Sequence, residues 1–422
     1  MPQCDLVQIS DSGRQIRPIA VRTGLMKTVT YEPRSGPSWR EPFGMYREMR
    51  DQAPVLHVPK GDYWVLSRFE DIWQAARDTE TFSSASGLTT TYGDMEAMNL
   101  APTMVMMDPP RHTEFRKLVS AGFTPRKVQA LEPAMRSYVA EKIEEMRSLS
   151  QCDFVAGLAR PLPCWVVANY LGVPLEDRPL FDEWTHAIVG GSAEGNLLEA
   201  GGGAAAVTEL YEYFTALVEK KRIEPGEDMI SELIASDLDG ASLGILEILG
   251  YAFVMITGGN DTATGLLAGA AELLTTHPDE RQKLRKHPEK IPNAVEELLR
   301  MTSPVQGLAR TLTRDVEIEG HQIPEGRKVL LHYGSGNRDE REFGPSAGEL
   351  DVDREIDRIL TFTIGPHYCL GAAAARLQGQ IVLEELLARC PDFVADTEAG
   401  EFARGAVVRR HEVLPFMAEP GG

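Results

Sequence analysis

One cysteine, Cys369, stands in a stretch whose residue types suit metal binding or nucleophilic chemistry. Glycines at Gly365 and Gly371 frame it, and His367 lies two residues before it. From Ala372 the sequence becomes rich in alanine, leucine and glutamate, which predicts a helix. Cys369 is therefore predicted to lie just before a helix N-terminus, where free N–H groups favour a thiolate over a thiol. An inert buried cysteine and a zinc ligand are the alternatives, although no CxxC or HxxxH partner lies nearby.

The pattern Phe-x-x-Gly-x-His-x-Cys-x-Gly occupies Phe362, Gly365, His367, Cys369 and Gly371, and this stretch resembles the haem-binding loop of cytochromes P450. The resemblance implies that a thiolate from Cys369 is the axial ligand of haem iron. It also implies that Phe362, His367 and Gly371 contact the cofactor, haem b (iron protoporphyrin IX), with His367 near a propionate.

Two cations four residues apart, His112 and Arg116, follow the pair Pro109–Pro110, which predicts that both lie on one face of a helix. Such a face suits an anionic ligand, and a solvated basic surface is the alternative. In the resembling family, a His-x-x-x-Arg motif binds a haem propionate. The resemblance implies this role for His112 and Arg116, and a similar one for Arg310.

A long apolar run from about Ser242 to Thr276 predicts a buried helix, because its hydrophobic residues cover nearly all faces. Gly258 and Gly259 interrupt it, and each costs about 1 kcal/mol of helix stability relative to alanine. Together with Thr262 they are predicted to share a face, which would let a flat ligand approach the backbone.

The same segment carries an acid next to an alcohol, Asp261 and Thr262. A carboxylate can relay protons from solvent, and a hydroxyl can hold an ordered water. With Gly258, these residues resemble the P450 motif Ala/Gly-Gly-x-Asp/Glu-Thr. That motif crosses the distal face of the haem and supplies protons for dioxygen cleavage. A threonine bonded back to its own helix is the alternative for Thr262.

Glu297 and Arg300 are one helical turn apart. Alone, this spacing is common on helix surfaces and contributes little to stability. The resemblance implies that the two residues pair with a later arginine, Arg354, and so fix the cysteine loop.

A stretch without periodicity, from Gly87 to Met107, is rich in methionine and is predicted to be a lid over the substrate. Core packing is the alternative for each methionine. A glycine-rich joint at 190–203 between two predicted helices resembles the mobile roof of P450s. The residues predicted to line the substrate pocket are Tyr92, Met95, Met98, Met104, Trp184, Ile188, Gly259, Gln306 and Leu308.

Composition narrows the class of protein. The net charge of −20 over 422 residues argues against a nucleic-acid binder, which would carry a basic stripe. The five cysteines show no paired spacing, and no membrane span opens the chain, so a cytoplasmic location is expected. Residues 1–41 are predicted to be an irregular N-terminal arm, with a targeting leader as the alternative. By resemblance, residues 42–422 form one haem domain of the mainly α P450 fold, with a helix-rich large lobe and a smaller β-containing lobe.

The resemblance implies a monooxygenase that inserts one atom of dioxygen into a hydrophobic small molecule, by hydroxylation or by N- or O-dealkylation. Electrons would come from NAD(P)H through a ferredoxin reductase and a ferredoxin, since the chain has no dinucleotide fingerprint or P-loop of its own. We expect a monomer with no nucleic-acid or membrane partner. A peroxide-driven peroxygenase and a non-enzymatic haem-thiolate ligand sensor are the alternatives. The pair Asp261–Thr262 argues against the peroxygenase.

Overall fold

The computed structural model of the protein describes residues 29–93, 103–181, 183, 184, 187, 203–238 and 241–419. Within these ranges helices dominate and the strands are short. The α-helices are α1 (Phe43–Gln52), α2 (Phe69–Arg77), α3 (Arg111–Ser120), α4 (Pro125–Ala130), α5 (Glu132–Arg147), α6 (Pro161–Leu171), α7 (Gly203–Ile223), α8 (Met229–Ala235), α9 (Ile245–Thr276), α10 (Pro278–Lys286), α11 (Ile291–Thr302), α12 (Tyr333–Gly336), α13 (Glu340–Phe343) and α14 (Ala372–Arg389). Single turns of 3₁₀-helix include Gly36–Arg40, Met104–Met106 and Gly365–His367, and a π-helical turn covers Val155–Ala159.

The strands form small sheets. They are β1 (Val55–Val58), β2 (Tyr63–Leu66), β3 (Phe82–Ser83), β4 (Cys152–Asp153), β5 (Asp237–Leu238), β6 (Ala241–Ser242), β7 (Leu308–Leu312), β8 (Val316–Ile318), β9 (His321–Ile323), β10 (Lys328–Leu331), β11 (Val394–Ala395), β12 (Glu401–Phe402), β13 (His411–Val413) and β14 (Pro415–Met417). The largest sheet has the order β1-β2-β10-β7-β3, in which only the β2–β10 pair is parallel. The smaller sheets are β11-β14-β4, β12-β13, β5-β6 and β8-β9.

The buried apolar side chains gather in two main clusters that correspond to the two predicted lobes. The larger cluster contains side chains of α5, α6, α9, α11 and α14. The smaller one joins α2 to the five-stranded sheet. The mainly α fold with a small β-containing region therefore agrees with the prediction.

The long helix α9 is the element on which much of the larger lobe packs, because it contacts α6, α11 and α14. It begins three residues later than predicted, since Ser242 belongs to β6 and the Gly244 N–H donates to the Glu247 carboxylate at 2.8 Å. It ends at Thr276, as predicted, with His277 as its C-cap before Pro278 starts α10. With 32 residues it is about 48 Å long.

The described part of the predicted N-terminal arm contacts the rest of the chain. Trp39 is buried, and its indole N–H donates to the Gly405 carbonyl at 2.9 Å. The Gly36 N–H donates to the Ala403 carbonyl at 3.0 Å. Residues 1–28 lie outside the described residues, so the boundary at residue 42 stays a prediction.

Candidate active site

The loop before α14 places Cys369 at the entrance to a helix. The turn is sharp because Gly365 has a φ of +72°, which L side chains rarely adopt. A Cβ at Gly365 would lie 3.4 Å from the carbonyl oxygen of Ala76, so the loop lies directly against α2. The Cys369 N–H donates to the Phe362 carbonyl at 2.9 Å and closes the loop. The sequence motif thus forms one compact structure.

Opposing effects act on the Cys369 sulfur. Burial raises the pKa of the thiol, whereas the backbone N–H groups of Gly371 and Ala372 and the guanidinium groups of Arg116 and Arg376 lower it. The predicted helix N-terminus is therefore present and favours a thiolate, but burial has the larger effect. A bound metal ion would deprotonate such a thiol outright.

Phe362 and Arg376 form one wall of the loop. The Phe362 side chain is buried, and the Arg376 guanidinium lies 4.6 Å from its ring centroid. Arg376 is held by the Glu296 carboxylate at 2.5 Å. Gly371 leaves space beside the sulfur, because a Cβ there would lie 4.0 Å from Cys369 Sγ.

A cluster of basic side chains lies next to the cysteine loop. The rings of His112 and His367 have centroids 4.3 Å apart, and the side chain of Arg310 is buried. Burial lowers the pKa of His367 to about 3, with Arg310, His112 and Arg116 acting in the same direction. Burial and Arg116 also lower the pKa of His112. Both imidazoles are therefore neutral at pH 7, beside two arginines.

Arg116 ties α3 to the loop. Its guanidinium donates to the carbonyls of Pro366 and Tyr368 at 3.1 and 2.6 Å. The predicted pair His112 and Arg116 thus lies beside the cysteine motif, although 250 residues separate Arg116 from Pro366 in the sequence.

The adjacent glycines Gly258 and Gly259 of α9 have different surroundings. A Cβ at Gly258 would meet no atom within 4 Å, so this position faces open space. A Cβ at Gly259 would lie 2.9 Å from Val167 Cγ2, so that position faces α6. The expectation that both glycines share an open face with Thr262 does not agree with this geometry. The Thr262 hydroxyl donates to the Gly258 carbonyl at 2.8 Å, which is the back-bonded arrangement given above as the alternative.

Asp261 has a cationic neighbour that the sequence analysis missed. Its Oδ1 lies 2.7 Å from Nε of Arg410, and the two side chains are 17% and 5% exposed. Arg410 comes from the C-terminal region, so no local spacing connects it to Asp261. The one available signal was the basic run Arg409–His411 within an otherwise apolar and acidic tail.

Glu297, Arg300 and Arg354 meet as the resemblance implied. Glu297 and Arg300 are fully buried, with an N···O distance of 2.7 Å, and Arg354 Nε lies 3.3 Å from the Glu297 carboxylate. Arg300 also donates to the Asn337 carbonyl at 2.7 Å. The Asn337 side chain accepts from the Leu360 N–H at 2.7 Å, immediately before the cysteine loop. This network therefore connects α11 to the residues immediately before the cysteine loop.

Comparison with known proteins decides the family. Residues 204–397 match the family model for Cytochrome P450. Cytochrome P450 130 of Mycobacterium tuberculosis is 54% identical over 388 residues, which cover 90% of this chain and 95% of that protein. The chain belongs to the cytochrome P450 family.

Two further P450s extend the comparison. The vitamin D(3) 25-hydroxylase of Pseudonocardia autotrophica is 35% identical, over 92% of this chain and 96% of that one. The structure of CYP109E1 from Bacillus megaterium in complex with testosterone is 30% identical, with a TM-score of 0.80, covering 90% of this chain and 99% of that chain. The resemblance, the fold class and the haem cofactor are thereby confirmed, and the protein is a P450 monooxygenase.

The residues present fit haem b. His112 Nδ1 is buried and has no hydrogen-bond partner among the described residues, beside the Arg310 and Arg116 guanidinium groups. Such donors suit the two propionates of the cofactor. The partly buried thiol of Cys369 and the open space at Gly258 suit the iron and the flat macrocycle.

Several residues predicted to line the P450 substrate pocket make other contacts. Gln306 is buried; its side chain accepts from the Tyr46 hydroxyl at 2.7 Å and donates to the Ser303 carbonyl at 2.6 Å. Both ends of the amide are thus engaged in structural hydrogen bonds. Tyr92 is 45% exposed, and its hydroxyl donates to the Asp62 carbonyl at 2.7 Å.

Gly259, also predicted to line the pocket, faces Val167 of α6 instead. The remaining predicted pocket residues fall into three groups. Met104 is buried in the larger apolar cluster, and Leu308 packs against the smaller one. The Trp184 indole donates to the Glu209 carboxylate at 2.8 Å and therefore contacts α7. Met95, Met98 and Ile188 lie outside the described residues.

Proposed function

We propose that Cys369 ligates the haem iron and that His112, Arg116, Arg310 and His367 hold its propionates. The observation that carries this proposal is the convergence of the cysteine loop with the basic cluster. Two neutral imidazoles and two guanidinium groups, placed beside a partly buried thiol, form a donor set for a dianionic metal cofactor.

When bound, haem supplies the activation of dioxygen, and this chain supplies position and protons. Asp261 takes up a proton from solvent water, and the Thr262 hydroxyl passes protons inward. Gly258 would leave room for the macrocycle, because no atom lies within 4 Å of a Cβ there. The buried trio Glu297, Arg300 and Arg354 keeps the loop of the ligand in place.

We propose hydroxylation or N- or O-dealkylation of a hydrophobic small molecule as the reaction. The relatives support a sterol-sized substrate, since one is named a vitamin D(3) 25-hydroxylase and another was solved with testosterone. Testosterone and vitamin D3 are therefore the first probes. The described residues include no helix apolar and long enough to span a bilayer. A cytoplasmic monomer is the form that we propose.

We propose an acidic ferredoxin, reduced by a ferredoxin reductase, as the electron donor. Arg77, Arg111 and Lys117 are exposed on α2 and α3, which flank the cysteine loop, and none of them has an ion-pair partner among the described residues. Arg338 and Arg376 do not add to these exposed charges, because Arg338 is buried and Arg376 pairs with Glu296.

The test of the ligand is the absorption of the reduced carbon monoxide complex. Thiolate ligation predicts a band at about 450 nm, and Cys369→Ser should abolish it. Cys152→Ser, a partly buried cysteine whose Sγ contacts the Phe416 carbonyl, is the matched control and should retain the band. An unchanged band in Cys369→Ser would reject the assignment.

The test of the reaction type compares oxidation of testosterone driven by NADH and redox partners with oxidation driven by peroxide. This comparison separates a monooxygenase from a peroxygenase. The absence of product under both conditions would indicate a sensor.

A further inference from the structure

The C-terminal strand region lies along α9 and brings basic side chains to acidic ones. The Arg409 carbonyl oxygen would lie 2.9 Å from a Cβ at Gly265, so glycine permits a close approach of the two backbones. Arg409 and His411 approach the Glu272 carboxylate, with N···O distances of 3.6 and 3.8 Å. This placement determines which side chain of the C-terminal segment meets the part of α9 that contains Gly258 and Gly259.

That side chain is Arg410, and it bridges two carboxylates. Its Nε lies 2.7 Å from Asp261 Oδ1, and its Nη1 donates to Glu412 Oε2 at 2.5 Å. The exposed fractions are 5% for Arg410, 17% for Asp261 and 38% for Glu412. The guanidinium therefore joins an inner carboxylate on α9 to an outer one that reaches solvent.

The second carboxylate changes how easily Asp261 can be protonated. An arginine stays charged in proteins, so Arg410 itself cannot pass a proton. A buried guanidinium that loses its only carboxylate is strongly destabilised. When Asp261 becomes neutral, Glu412 still compensates the charge of Arg410. Glu412 therefore lowers the free energy that protonation of Asp261 requires.

The geometry points to Arg410 as a positioning residue for the proton path and to Glu412 as its exchange partner, which allows Asp261 to leave Arg410 and turn toward Thr262. This inference rests on the proposed role of Asp261 and Thr262. The proton moves from solvent water to a carboxylate oxygen of Asp261 and then to the Thr262 hydroxyl oxygen, which releases its own proton inward. Only O–H bonds form and break, and no electron is transferred.

Other charged groups face the same region from the neighbouring elements. Arg160 Nη1, between the π-helical turn and α6, lies 3.9 Å from the Glu412 carboxylate. Glu272 lies further along α9, and Arg409 and His411 approach its carboxylate from the C-terminal segment. The variants below leave all four unchanged, so a difference between the variants arises at Arg410 or Glu412.

The first measurement follows the carboxyl group of Asp261 directly. In the haem-loaded protein, the infrared band of its protonated form is assigned by difference from Asp261→Asn and titrated with pH. Arg410→Gln should raise the midpoint by about 1 to 3 pH units, because an adjacent cation is lost. Glu412→Gln should lower the Asp261 midpoint, because Arg410 then pairs with Asp261 alone. Arg410→Lys should restore most of the wild-type midpoint.

Glu401→Gln is the matched control, since Glu401 is an exposed glutamate on the strand paired with β13. The Asp261 midpoint in this variant should stay at the wild-type value. The second measurement is NADH-driven oxidation of testosterone with supplied ferredoxin and its reductase, in H2O and D2O. Glu412→Gln should slow it about tenfold and increase the solvent isotope effect, whereas Glu401→Gln should not.

An Asp261 midpoint that stays constant in both Arg410→Gln and Glu412→Gln, or that rises in Glu412→Gln, overturns the inference. If Arg410→Gln fails to bind haem, Arg410→Lys and Glu412→Gln still decide it. Failure of the proposed function gives a different result, in which Asp261→Asn itself leaves product formation and the solvent isotope effect unchanged.

Discussion

At the scale of single residues, Gly258 and Gly259 are chemically identical neighbours on one helix, yet a methyl group would have opposite effects at the two positions. At Gly258 it would enter open space. Gly258→Ala should therefore raise the free energy of unfolding by about 1 kcal/mol, since alanine is the better helix former. The measurement is urea unfolding of the protein without haem, because bound haem would occupy the space that Gly258 leaves open.

Gly259→Ala is the matched comparison, because its methyl group would lie 2.9 Å from Val167 Cγ2. Overpacking costs about 1 to 3 kcal/mol, which cancels or exceeds the gain in helix propensity. The net change should be between zero and a loss of about 2 kcal/mol. Equal stabilisation by both substitutions would contradict the assignment of open space to Gly258 alone. The reduced carbon monoxide band checks that both variants keep haem.

The residues of the candidate site differ in how far sequence could predict them. Cys369 and His367 belong to one short motif, so the covalent chain keeps them together and their environment follows from the pattern. Gly259 depends on how α9 is rotated against α6, which its own sequence does not encode. The partner of Asp261, Arg410, depends on a tertiary contact across most of the C-terminal half, and periodicity carries no information about such contacts.

At the scale of elements, the ion pairs of α11 with the segment before the cysteine loop determine whether that loop keeps its shape. Glu297 is fully buried and compensates Arg300 and Arg354 at once. Its carboxylate also accepts from the Asp351 N–H at 3.0 Å. Glu297→Gln should therefore cost about 3 to 5 kcal/mol in the free energy of unfolding, because two guanidinium groups lose their charge partner.

Glu296 offers a control one residue away. It pairs with Arg376, and the two side chains are 24% and 36% exposed. Glu296→Gln should cost only about 0 to 1 kcal/mol, the range for exposed ion pairs. Urea unfolding compares the two variants, and retained haem reports on the loop. A loss in Glu297→Gln no greater than that in Glu296→Gln would show that the buried trio does not support the loop.

The same element scale shows where helix prediction was reliable. The end of α9 was predictable because His277–Pro278 stops a helix, but its start was not, because Ser242 pairs in a two-residue hairpin with no strong pattern. The sequence pattern also predicts one helix over Lys127–Arg147, but the structure divides this segment at Leu131 into α4 and α5. Pro133 provides the reason, since proline in the first turn of α5 fits a new helix better than a continuous one.

At the scale of the whole molecule, the net charge of −20 would repel an acidic electron donor, so docking depends on local charge. The Debye length is about 8 Å at physiological ionic strength, and distant carboxylates are therefore screened. Exposed cations beside the cysteine loop, Arg77, Arg111 and Lys117, remain within reach of a partner that docks there. Lys117→Glu should raise the KM for an acidic ferredoxin about three- to tenfold at low salt.

The control is a charge reversal of equal size at the other end of α14. Lys286 is exposed and follows Arg285 in α10. Arg285 pairs with Asp392, which lies just beyond the C-terminus of α14. The 18 residues of α14 span about 27 Å, so Lys286→Glu changes the net charge equally but lies far from Cys369. If docking depends on local cations, only Lys117→Glu should raise the KM, and added salt should reduce the difference between Lys117→Glu and wild type. Equal effects from both variants would instead indicate that total charge controls the encounter.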